Sequence, residues 1–359
     1  MEKLSEKEIE RRNYLKEKKP RVFEKVSHFT EKYKRGESIA LIQLQYNYRC
    51  NMLCEHCSIH SYQKNAAGKR SLTPEDVKIL ADQADELGLA RFVISGGEPT
   101  TFPDLDDVVR AIGPERFFIN SDSNGYLLAE KAEHMKEIGI DRIQLSIDSL
   151  NPEEHDRFRR KPGGWKKAME GIEECRRVDL PLYIQTVVTK QRLHSEEFIK
   201  FVEHFNGMGL GVFITFAKPV GAYAGHYESM INDEDLAYER ELEKKYQLFT
   251  HLTPGYGLEI GCVGVKGFVS VTQYGDVQPC PYFHCSIGNI YETPLKTILE
   301  NGMSIKYFGE HNNQCFLAQN VEWVKKYVDK HINGKPVPVP YTSVFSKEDM
   351  TTAPYWKYL

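Results

Sequence analysis

The sequence has no apolar run long enough to span a bilayer. Its first residues, MEKLSEKEIERRNYLKEKK, lack the apolar centre of a secretory signal. Those two absences point to a cytoplasmic chain, where thiols stay reduced. A dominant charge is missing too: 47 Lys and Arg stand against 51 Asp and Glu, a net of −4. So balanced a surface argues against gripping nucleic-acid phosphates as the main task, and no nucleic-acid partner is expected. Solenoid-period repeats and low-complexity segments are also missing. Cysteine numbers 8 in 359 residues. In a reducing compartment these read as metal ligands rather than disulfides.

What is present is a globular composition, 41% hydrophobic and 27% charged, which excludes a disordered chain. From about Ile39 to Phe216 short apolar runs alternate with helical patterns. ALIQLQY, RFVIS, RFFIN, RIQLSI, LYIQTVV and VFITF read as six buried strands. Helices are expected between them, one starting at Thr73 with Pro74 behind it, others near 129–138, 165–175 and 195–205. This order implies an α/β fold with a parallel sheet. Crossovers of one hand curl such a sheet into a partial (β/α)6 TIM-like barrel, with functional residues at the C-terminal strand ends. Four segments are expected: a helical arm over 1–38, the core barrel over 39–232, a bridging helix with a small hairpin-plus-helix domain over 233–334, and a tail over 335–359. In the arm, Val22, Val26, Phe29 and Tyr33 recur at helical spacing after Pro20, as in a packing arm. The alternative is docking of the cationic stretch KEKKPRVFEK on an acidic partner or, peripherally, on anionic lipid. The tail, rich in proline and aromatics, is expected over the barrel mouth or a neighbouring subunit, or else as an extended surface tail.

The segment CNMLCEHC sets Cys50, Cys54 and Cys57 in a C-x3-C-x2-C array just after the first strand. A structural zinc site wants four ligands, usually in two pairs. A [4Fe–4S] cube held by three thiolates keeps one iron vacant for a chelating ligand. Zinc with a borrowed distant donor is the alternative. Further strand ends carry short polar motifs. Gly96 and Gly97 offer bare backbone, and Glu98, ahead of Pro99, offers an acceptor suited to an ammonium group, unless the segment is an ordinary turn. Ser123 and Asn124 can bond a ribose or simply close a turn. Ser146 and Asp148 end the fourth strand, where Asp148 reads equally as a helix cap.

CxxxCxxC, GGEP, SNG and SxD in this order resemble the radical S-adenosylmethionine (radical SAM) superfamily over about residues 41–290. The resemblance implies Cys50, Cys54 and Cys57 as ligands of a SAM-binding [4Fe–4S] cluster. It sets His56 beside the adenine, where the family usually has an aromatic residue. Gly96, Gly97, Glu98 and Pro99 match the segment that receives the methionine amine, and Ser123 and Asn124 the ribose side. Ser146 and Asp148 line the same cavity. Arg159 matches the arginine of an HDxxRG pattern, a partner for the SAM carboxylate. Arg160 replaces that pattern's glycine, which leaves the choice between the two arginines open. The implied chemistry is reductive cleavage of SAM to methionine and a 5′-deoxyadenosyl radical, which takes hydrogen from a substrate. It needs a one-electron donor such as flavodoxin or ferredoxin.

A second group follows the barrel. Cys262, Gly275 and Cys280 form C-x12-G-x4-C around a hairpin turning at Tyr274-Gly275-Asp276, which brings Cys262 and Cys280 together. This resembles the auxiliary-cluster region of SPASM/twitch radical SAM enzymes. The dense later cysteine array of a full SPASM domain is absent, so the resemblance implies one auxiliary cluster on Cys262, Cys280 and Cys315. Cys285 is either its fourth ligand or a small buried hydrophobe, and Cys175 reads as core. Only 49 residues precede Cys50, and they read as helices rather than a leader-binding module. A small metabolite is therefore the expected substrate, with a maturase acting on a peptide or protein side chain, or on a lipid, as the alternative. A non-catalytic metal or redox-sensing protein would explain the cysteines but not the strand-end motifs. Tyr282, His284, Asp276 and Lys218 lie near the second group or the domain junction, each with an easy structural explanation.

Overall fold

The computed structural model describes residues 6–59, 62, 68–256 and 258–352. Six parallel strands form the core in sequence order: β1 (Leu41–Asn47), β2 (Arg91–Gly96), β3 (Phe118–Ser123), β4 (Arg142–Ser146), β5 (Leu182–Val188) and β6 (Val212–Phe216). The two-residue period of a strand explains their two faces. In β1, Ile42 and Leu44 are buried with the helices' apolar residues, while Gln43 and Gln45 line a cavity on the other face. Polar residues on the inward face leave a lumen that a purely apolar barrel would fill.

Helices separate the strands. Thr73 caps Pro74–Glu86 in a reciprocal capping box with Asp76. Leu128–Glu137, Gly164–Arg177 and Glu196–Gly207 fall where helical spacing predicts them, the last capped by Ser195. Two further helices, Leu105–Ile112 and Pro152–Arg159, complete the crossovers, and Asp233–Lys245 bridges to the second region. Cys175 is buried on its helix in the main core, as a packing residue.

The sheet is open rather than a closed barrel. Beyond β6 it gains β7 (Leu248–Phe249). On the other edge, β8 (Phe268–Val271) pairs parallel with β1, and the hairpin partner β9 (Asp276–Gln278) pairs antiparallel with β8. The hairpin of the second cysteine group therefore continues the core sheet. Gly275 turns it at φ +82°, and a Cβ there would meet the Tyr291 ring at 2.8 Å.

The arm packs. Val22, Val26, Phe29 and Tyr33 are buried with Ala90, Phe118 and Ile260. The cations of KEKKPRVFEK are largely spent within the chain: Lys19 pairs with Asp141 at 2.8 Å, and Arg21 and Lys25 pair with Asp85 at 3.0 and 2.5 Å. Three of its cations therefore have carboxylate partners within the chain. The described part of the tail, 335–352, packs over the second cysteine region and does not line the cavity at the barrel mouth. Val339–Pro340 pairs with Cys285–Ser286, and Phe345 meets Phe283, Phe308 and Tyr327. Buried aromatic area outweighs whatever an irregular strap over the polar mouth would gain. Residues 353–359 lie outside the described residues. Among the described residues no helix is long and apolar enough to cross a membrane.

Candidate active site

One cavity of about 510 Å³ collects residues from the C-terminal ends of all six core strands and from the cysteine loop. Cys50, Cys54 and Cys57 line it, as do His56, Gly96, Gly97, Glu98, Ser123, Asn124, Ser146, Asp148 and Arg159; Pro99 is buried just behind Glu98.

The glycine pair explains how the cysteine loop is held. Gly97 N donates to Asn47 O at 2.7 Å and Glu98 N to Arg49 O at 2.9 Å. A Cβ on Gly97 would lie 1.9 Å from Arg49 O, and one on Gly96, at φ +116°, would lie 2.5 Å from Asn47 O. Only bare backbone lets the β2 end press this closely on the residues leading to Cys50. Glu98 is buried, and its carboxylate accepts from Thr100 Oγ1 at 2.7 Å, Ser123 Oγ at 2.9 Å and Asn124 N at 2.7 Å. Burial pushes its pKa up, and these bonds oppose the rise. Glu98 and Ser123 thus tie the ends of β2 and β3 together, a use their separate motifs did not signal. Asn124 Nδ2 donates to Asn51 Oδ1 at 2.7 Å and lies 4.0 Å from Cys50 Sγ.

Asp148 and Arg159 form an ion pair at 2.7 Å with side chains 6% and 7% exposed. Burial alone would raise the Asp148 pKa; Arg159 foremost, with His56, Arg192 and His155 around it, holds it below the usual carboxylate range. Burial likewise opposes the Arg159 charge, but Asp148 and the Cys54 and Cys50 sulfurs raise its pKa overall. Arg160 instead ends the helix Pro152–Arg159 at φ 51°, with its side chain 3.9 Å from Glu55 on the exposed side. The sequence left the two arginines open; Arg159 is the one in the cavity, and Arg160 takes the left-handed turn a glycine would occupy. His56 stacks on Phe158 with ring centres 4.6 Å apart and planes at 4°. Burial lowers its pKa to about 4, so the ring is neutral.

None of the three loop cysteines is in a disulfide. Burial pushes Cys50 up to about 11, and the neighbouring Glu98, Cys54 and Cys57 add to the rise. Three thiols that repel one another's ionisation suit a cationic centre. Among the described residues no three His, Cys, Asp or Glu donors converge as a single ion requires, and a cube binds its thiolates at separate irons. The second group behaves alike. Burial raises Cys280 to about 12, with Cys315 and Cys262 close enough to contribute. Burial is the sole cause acting on Cys285, which sits buried in the hydrophobic core.

The profile of the radical SAM superfamily matches residues 44–202, and that of an iron–sulfur cluster-binding domain, SPASM, matches residues 262–318. The AdoMet-dependent heme synthase of Methanosarcina barkeri is 32% identical over 73% of this chain and 82% of its own. The chain belongs to the radical SAM superfamily. Another relative, the GTP 3′,8-cyclase of Listeria monocytogenes, is 23% identical over 91% of this chain and 97% of its own. Among solved structures, Streptococcus suis SuiB bound to precursor peptide SuiA superposes with a TM-score of 0.60 at 17% identity, over 90% of this chain and 80% of that one. Native anSMEcpe with bound AdoMet gives 0.54 at 18% identity, over 73% and 80%. Both share its fold. This radical SAM enzyme thus combines a SAM-binding iron–sulfur core with a second iron–sulfur domain.

Sequence reasoning missed one cavity residue of note. Asp122 on β3 is raised by burial to about 6, and its Oδ1 is buried without a hydrogen bond. Lys218, just past β6, carries an easy structural explanation in the sequence, and the fold puts it in the cavity lining. The inward alternation of SDS on β3 was the one available signal for Asp122.

Proposed function

We propose that Cys50, Cys54 and Cys57 hold the SAM-binding cluster, and that Cys262, Cys280 and Cys315 hold an auxiliary one with Cys285 as packed core. We further propose that the substrate is a small metabolite. The carrying observation is one cavity whose lining holds the cysteine loop and strand-end motifs together with Tyr282 and Lys218. Bound there, cluster and SAM supply one-electron cleavage that yields a hydrogen-abstracting radical.

The chain's residues do the rest. Arg159, fixed by Asp148 beside the Cys54 and Cys50 sulfurs, offers its remaining donors to a carboxylate. The clamp of Gly97 and Glu98 on Asn47 and Arg49 sets the loop against the β2 end. His56, neutral and stacked on Phe158, presents an aromatic surface to the adenine side. Glu98 acts on the ammonium side through charge, since most of its acceptor capacity is used by Thr100, Ser123 and Asn124. The hairpin exit contributes Pro281 and Tyr282 to the cavity wall, which shields a radical from water.

A metabolite fits the cavity size, which lies within the range of small-molecule pockets. The names of the curated relatives, a heme synthase and a GTP cyclase, also denote small-molecule chemistry. The reductant is a one-electron donor of the flavodoxin or ferredoxin kind. The test is 5′-deoxyadenosine formation by anaerobically reconstituted, reduced protein, with cell extract split by ultrafiltration. The low-mass filtrate should stimulate it. Stimulation by the retained macromolecules alone would replace the metabolite with a peptide or protein.

A further inference from the structure

Lys218 is 7% exposed and lines the cavity. Its Nζ donates to Phe216 O at 2.8 Å and lies 4.4 Å from the centre of the Tyr282 ring. Tyr282 is two residues past Cys280, in a turn where Phe283 N donates to Cys280 O at 3.1 Å. Among the described residues no carboxylate lies within ion-pair distance of Lys218. A buried ammonium without a carboxylate is costly unless other negative charge compensates it. Lys218 lies close enough to Cys280 and Cys315 to favour their thiolates against burial. A second lysine stands by the third thiol. Lys266 is 0% exposed, donates to Phe308 O at 2.6 Å and Glu310 O at 2.8 Å, and is within electrostatic reach of Cys262. Two buried cations thus attend the three thiols, one facing the cavity and one facing the carboxy-terminal helices.

We propose that Lys218 and Lys266 compensate the charge of the auxiliary cluster and set its reduction potential, with Lys218 as the cation shared between that cluster and the cavity. This rests on the assignment of Cys262, Cys280 and Cys315 as its ligands. An electron added to an anionic cluster costs less beside fixed positive charge in a low-dielectric setting. The lysines therefore raise the potential above what three thiolates alone would give. Lys218 is a positioning residue here, because it acts through the cluster.

The experiment uses full-length protein reconstituted anaerobically in a Cys50→Ala, Cys54→Ala, Cys57→Ala background, so that only the auxiliary cluster contributes. Iron and sulfide content is measured first, then the potential by redox titration followed with electron paramagnetic resonance. Absence of a cluster in this background would defeat the ligand assignment itself. With the cluster present, Lys218→Met should shift the potential to more negative values, and Lys218→Arg should restore it. Lys266→Met carries the same prediction should Lys218→Met fail to fold. Loss of iron from Lys218→Met with retention in Lys218→Arg supports the charge role as well. An unshifted potential at full iron content, or an Arg variant displaced as far as the Met variant, overturns it.

Discussion

Asp148 and Arg159 show what single residues contribute at this site. Each charge is buried, and each is tolerable because the other lies 2.7 Å away. Replacing Asp148 by Asn leaves the guanidinium buried beside the Cys54 and Cys50 thiols with no carboxylate. That loss should destabilise the apo protein by roughly 3–5 kcal/mol, the usual cost of breaking a buried pair. Urea unfolding of the two apo proteins measures it, and equal midpoints and slopes would show that the pair holds nothing in place. Sequence could name these residues but not their pairing. Asp148 read equally as a cap, and the choice of Arg159 over Arg160 turns on a φ of 51° that follows from how one helix ends. Glu98 was legible as an acceptor, while its occupation by Ser123 depends on β2 and β3 being neighbours.

At the scale of elements, the helix Asp233–Lys245 carries a conflict of its own. Glu239 is 0% exposed, and burial together with the Glu243 carboxylate pushes its pKa up to about 9, with Arg240 opposing. The raised value means the folded state keeps a proton that the unfolded state gives up near the ordinary carboxylate pKa. The associated stability is complete below that pKa and is lost as pH rises towards 9. The melting temperature of the wild type should therefore fall between pH 5 and 9 more steeply than that of Glu239→Gln; parallel profiles would place the proton elsewhere. The six strands and most helices were legible because each carries its own period. The helix Leu105–Ile112 buries Leu105, Val108, Val109 and Ile112 at helical spacing, yet its two turns were too short to stand out between strands. The docking of β8 onto β1 had no local signal, since edge pairing is decided by which edge is left open.

For the whole molecule, the open sheet is what brings the two cysteine groups into one enzyme. β1 leads into the first cysteine loop and also pairs with the hairpin that precedes Cys280. Tyr282, past that hairpin, bonds Thr215 on β6 and lies under Lys218, so the second region bridges towards the far edge of the part-barrel. The cysteine spacing in the sequence carried the chemistry; the cavity wall that joins both groups came only with the fold. The most direct test of the account is the electron paramagnetic resonance spectrum of the reduced, reconstituted protein with and without SAM. Wild type should show two cluster signals, one of which changes when SAM is added. The Cys50→Ala, Cys54→Ala, Cys57→Ala protein should keep the unresponsive signal and lose the other. A SAM-responsive signal that survives the triple substitution, or zinc in place of iron at that loop, would contradict it.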